Sequence, residues 1–86
     1  MSTFQFMSIQ SLASLKPGQS GVVERLDTDD DASLKLMELG IGPGELVRFL
    51  RRAPLGGPLM IELMGYRLCI RPSEGERIWV RCDSDN

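Results

Sequence analysis

Asp27-Thr28-Asp29-Asp30-Asp31 is the densest set of cation-binding groups in the sequence, and Cys69 and Cys82 are its only thiols. Adjacent carboxylates could hold a hard divalent ion. The cluster nevertheless lacks the spaced oxygen ligands and terminal glutamate of a calcium loop. Aspartates ahead of an apolar run also cap helix starts and complement the positive end of the helix dipole, so capping accounts for them without a metal. The two cysteines could share a soft ion between molecules, but the chain has no histidine to complete a zinc site. Lack of histidine also removes the commonest general base. No cysteine or serine has a partner base, and no glycine-rich loop of the phosphate-cradling type is present. The expectation is a protein with no catalytic residue, no resident metal and no cofactor.

The chain has 86 residues, ten basic against twelve acidic, and a net charge of -2. That is room for one domain with a thin core, burying roughly 60% of the surface its unfolded form exposes. An acidic balance is not the footprint of a protein that tracks phosphate backbones. Seven of the ten basic residues fall between Arg48 and Arg81, while acids crowd at Asp27–Asp31. A dipolar surface of this kind can steer a partner. No basic and apolar leader opens the sequence, and no stretch of ~20 apolar residues could span a bilayer. A cytoplasmic protein with reduced thiols is expected.

The residues between these groups must build the frame. The expected organisation is an N-terminal extension over 1–8, a domain over 9–82 and a polar tail over 83–86. Residues 1–11, with Phe4, Phe6, Met7 and Ile9, fit either an edge strand or a tail. Pro17-Gly18 is a turn, and Ser20–Leu26 a strand. Leu34 with Met37, and Leu36 with Leu39, recur at helical spacing after the aspartates, and Gly40 suits a left-handed C-terminal cap. Pro43-Gly44 turns the chain into a strand over 45–52. Its imperfect alternation implies either two covered faces or a bulge. Leu59, Ile61 and Leu63 share one face of the next strand, and Met64-Gly65 forms a tight connection. Tyr66, Leu68 and Ile70 are then expected inward, opposite Arg67, Cys69 and Arg71. After a turn at Pro72–Gly75, Ile78 and Val80 point inward on the last strand. The fold class is mainly β with one or two short helices. About five strands, with a helix after the first, resolve their edges best by curling into a small SH3-like barrel.

Leu15-Lys16-Pro17-Gly18, Leu36-Met37-Glu38-Leu39-Gly40-Ile41-Gly42-Pro43-Gly44, Pro54-Leu55-Gly56-Gly57-Pro58 and Arg71-Pro72-Ser73-Glu74-Gly75 follow in an order and spacing that resembles the FeoA family. The most specific segment is LMELGIGPG. FeoA is the small cytosolic component of bacterial ferrous iron transport, and a related SH3-like module ends the iron-dependent repressors. The family often carries adjacent arginines ahead of LMELG, where this chain has Ser33-Leu34-Lys35. The resemblance implies a non-enzymatic module that docks on the cytosolic G domain of the membrane permease FeoB. It would reach the membrane only through that partner, bind no nucleic acid, and either stimulate GTP hydrolysis or promote assembly. A homodimer is left open.

Candidate contact residues are Leu36, Met37 and Leu39 on the helix and Leu55, Gly56 and Gly57 in the loop, since an apolar loop residue marks a contact site. Pro17, Gly18, Gly40, Pro43, Gly44 and Gly65 are expected to serve turns. Carboxylates alone would bind ferrous iron weakly. An arginine supplied to a GTPase partner can stabilise transition-state charge, but nothing singles out one among Arg48, Arg51, Arg52, Arg67 and Arg71. A nucleic-acid-binding barrel and a metal-sensing domain are the alternative readings.

Overall fold

The computed structural model describes residues 7–83. The expected extension therefore lies outside the described residues as far as position 6, Phe4 and Phe6 included, as does the tail from residue 84. Six antiparallel strands form one sheet: β1 (Met7–Ser11), β2 (Ser20–Leu26), β3 (Leu46–Arg52), β4 (Leu59–Leu63), β5 (Tyr66–Ile70) and β6 (Ile78–Asp83). Their order is β1-β6-β2-β3-β4-β5. The count is one above expectation, and the helix follows the second strand rather than the first. The additional strand, β1, alternates poorly in sequence and is defined by its pairing with β6, Met7 opposite Asp83 through Ser11 opposite Trp79.

β4 shows why the sequence folds this way. Leu59, Ile61 and Leu63 are buried and Met60 and Glu62 are half-buried, the two-residue period of a strand with one face on the core. In β3 the buried residues are Val47 and Phe49, while Leu46 is exposed and Leu50 half-buried. Pairing with β4 shifts register between Phe49 and Arg51, so the strand is bulged. A second shift, between Val23 and Arg25, bends β2 against β6. Such bulges bend a strand and raise its local twist, which lets this sheet wrap one face around a core. Val23, Val47, Phe49, Ile61, Ile78 and Val80 line that core, and Leu12, Leu15, Leu36 and Ile41 close it from the connecting segments.

Helix α1 (Asp30–Glu38) starts at Asp29, whose side chain accepts a hydrogen bond from the Ala32 N–H at 2.8 Å. Replacing Asp29 with alanine should cost about 1 kcal/mol, a cap's usual contribution, read as a lower chemical-denaturation midpoint. The helix ends on Gly40, with φ of +97°. Ile41 N–H reaches the Leu36 carbonyl at 2.9 Å and Gly40 N–H the Met37 carbonyl at 3.0 Å, the paired bonds of a Schellman stop. Between Arg71 and β6, the expected turn is one helical turn, α2 (Pro72–Gly75). The Glu74 carboxylate accepts from the Arg71 N–H at 2.9 Å there, closing its start.

Candidate partner-docking surface

The apolar stripe of α1 divides. Leu36 is 3% exposed and belongs to the core, which corrects its reading as a contact residue. Leu34, Met37 and Leu39 face outward, with Met37 51% and Leu39 46% exposed. A nine-residue helix capped at both ends meets the bent sheet along one line, and only Leu36 falls on it.

Met37 and Leu39 do not stand alone. A Cβ added at Gly40 would sit 3.1 Å from Tyr66 Oη, 3.3 Å from Leu63 Cδ1 and 3.4 Å from Met64 Sδ. One added at Gly42 would lie 3.6 Å from Met37 Cγ. The helix end and the β4–β5 turn thus converge on one apolar surface formed by Met37, Leu39, Met64 and Tyr66. Tyr66, expected inward, is 44% exposed, and its hydroxyl donates to the Leu39 carbonyl. That bond ties hairpin to helix.

Met64 and Tyr66 were missed in the sequence reading. The signal was present in Met64-Gly65, because both residues of a two-residue hairpin turn take positive φ and project beyond the sheet. Met64 has φ of +51° and Gly65 of +82°. The other turn residues fall as follows. Gly18 and Gly44 are left-handed, each after a proline, Pro17 and Pro43. Leu55, Gly56 and Gly57 lie elsewhere, beyond the far end of β4, with Leu55 and Gly56 exposed and Gly57 packed against Ala53. The structure therefore separates the six candidate contacts into a core residue, a helix-end pair and a distant loop.

The remaining chemistry is sparse. Among the described residues, no three carboxylates or thiols come together as a metal-binding group. Trp79 lies under the Arg25 guanidinium, 5.2 Å from its ring centroid, so that face is covered against a stacking base. Cys69 is exposed, and Cys82 is buried against the Gly21 backbone. No described helix is long and apolar enough to cross a membrane. What this surface can do is bury apolar area against another molecule.

Six strands bent round a single core, with a helix stopped at its side, define an SH3-like fold. A crystal structure of a Stenotrophomonas maltophilia FeoA complexed with zinc, described as a procaryotic SH3 domain protein, is 36% identical over 83% of this chain and 88% of its own, with a TM-score of 0.69. A crystal structure of an iron uptake regulatory protein, FeoA, is 30% identical over 86% of this chain and 97% of that one, with a TM-score of 0.79. The FeoA protein of Chlorobium tepidum is also 30% identical, over 88% and 71% of the two chains, with a TM-score of 0.77. The FeoA domain matches residues 10–82, and the chain belongs to the FeoA family, which is associated with ferrous iron transport. A manganese-dependent transcriptional repressor, 21% identical with a TM-score of 0.76, shares the fold over 86% of this chain and 41% of its own. No curated protein matches the chain in sequence.

Proposed function

We propose that this protein is a cytoplasmic accessory factor of ferrous iron uptake that docks on the cytosolic domain of a FeoB-like membrane GTPase and regulates it, without being a catalyst itself. The observation that carries the reading is the apolar surface of Met37, Leu39, Met64 and Tyr66. Four large apolar side chains exposed around one helix end and the turn beside it, on so small a domain, mark a contact site. Family membership supplies the transport context, and the S. maltophilia relative is itself put forward as a ferrous iron transport activating factor. Arginines are at hand for a partner's phosphate chemistry, but the apolar surface sits at the helix end, so burial rather than charge drives the association.

The full chain should be retained by the permease's immobilised cytosolic domain. Met37→Asp with Met64→Asp should weaken that binding by about 100-fold or more, because two carboxylates would be desolvated at its centre. Both positions are exposed, so the melting temperature should stay near that of the parent. Retention of the double variant at parental affinity would remove this surface from the interface. No binding by the intact protein in any nucleotide state would sink the reading as a whole. GTP turnover of the permease domain with and without the protein then separates an activator from an assembly factor.

A further inference from the structure

At the other end of β4 the chemistry is different. Its five residues, at ~3.4 Å each, place the β3–β4 turn roughly 17 Å from Met64. Leu55 at that tip is 104% exposed and has φ of +61°, followed by Gly56 at +72°. The Gly57 N–H closes the turn onto the Pro54 carbonyl at 3.2 Å, and the Ala53 N–H bonds the Pro58 carbonyl at 2.9 Å. A leucine in the left-handed region carries backbone strain that a glycine would avoid. The left-handed backbone here closes the turn, but a glycine or asparagine would close it with less strain, and the leucine side chain itself is held wholly in solvent with no packing partner in the fold.

Three arginines stand at the base of this turn. Arg51 and Arg52 end β3, and Arg71 follows Ile70, whose cross-strand partner Leu59 opens β4. All three are exposed, and among the described residues none is ion-paired. The Arg52 guanidinium is already placed, donating to the Ala13 carbonyl at 2.7 Å and lying 5.0 Å from the Phe49 ring centroid. Residues 46–71 hold five arginines and one glutamate, a net of +4, against five basic and eleven acidic residues in the rest of the chain. Acids outnumber bases instead where Asp29, Asp31 and Glu74, with Lys35, line a cleft between α1 and α2.

We propose that the β3–β4 hairpin end docks on the anionic surface of a lipid bilayer, with Leu55 entering the interface, Arg51 and Arg71 meeting headgroup phosphates, and Arg52, held on the Ala13 carbonyl, adding to the positive field. Charge complementarity selects this occupant. The cationic end is drawn to an anionic leaflet while the acidic remainder is repelled, so the field orients the molecule tip first. A fully exposed leucine on a convex turn offers a peptide no groove, whereas a bilayer needs none. The apolar surface around Gly40 is left facing away from the membrane. This inference rests on the charge and shape of the hairpin end and does not depend on the docking proposed above.

Sedimentation of the full chain with vesicles of phosphatidylglycerol and phosphatidylcholine tests it, with phosphatidylcholine vesicles as control. At low salt the protein should pellet with the mixed vesicles only, and added salt should release it. Arg51→Ala and Arg71→Ala should each lower the affinity about fivefold. Leu55→Gly removes the strain, so it should fold at least as well as the parent, yet bind about tenfold more weakly. Absence of binding at low salt, equal binding to both vesicle types, or unchanged affinity in the arginine variants would overturn the proposal. So would preferential capture of polyaspartate over vesicles, which would assign the face to an acidic protein segment.

Discussion

Phe49→Ala should destabilise this protein by about 3–5 kcal/mol, the usual loss for a buried aromatic truncated in a packed core. The ring is 0% exposed, at the centre of the buried face of β3 and opposite Ile61 of β4. The backbone of Phe49 also joins two segments: its N–H donates to the Gln19 carbonyl at 2.9 Å, and its carbonyl accepts from the Gly18 N–H at 2.8 Å. Alanine keeps those bonds, so the loss isolates the side chain. In a domain of this size the melting temperature should fall by roughly 15–30 °C. A core this thin has few neighbouring side chains to move into the void. Thermal denaturation followed by far-ultraviolet circular dichroism reads the change, and a loss under about 1 kcal/mol would show that the core collapses around the missing ring.

Gly40→Val should cost about 3 kcal/mol and, unlike Phe49→Ala, should also weaken partner docking in the molecules that remain folded. Two terms add. A side chain with a branched β-carbon is strained at φ of +97°, by about 1–2 kcal/mol. Its Cβ also meets Tyr66 Oη at 3.1 Å and Leu63 Cδ1 at 3.3 Å, and such crowding costs ~1–3 kcal/mol where neighbours cannot yield. Tyr66 is held through its bond to the Leu39 carbonyl, so displacing it shifts the hairpin relative to the helix end. Gly40→Ala should fall between parent and valine in stability. If valine left the melting temperature within a few degrees of the parent, the Schellman stop would not be what orients this surface.

Much of the frame was legible because short-range chemistry dictated it. Leu59, Ile61 and Leu63 face one way whatever the rest of the molecule does, since a strand's period is two. Asp29 caps and Gly40 stops the helix by bonds made within a few residues of themselves. The division of the helix stripe was not legible. Leu34, Leu36, Met37 and Leu39 are all apolar, and which of them touches the sheet depends on the angle at which α1 meets it. Tyr66 was misplaced for a related reason. Alternation along β5 points it inward, but the strand's first residue lies past the edge of the core and instead reaches the helix end. β1 was undecided because its stability resides in pairing with β6, some seventy residues away.

The sequence by itself determined the class of fold and the family. Turn glycines, caps and strand periodicity act locally, and the missing histidine needs no structure to be noticed. Only the tertiary structure decided what the exposed apolar residues mean. It drew Leu36 inside, brought Met64 and Tyr66 to Met37 and Leu39, and set Leu55 and its arginines at the opposite end of β4. Such groupings follow from how a bent sheet brings distant turns together, a non-local property that no stretch of residues carries alone.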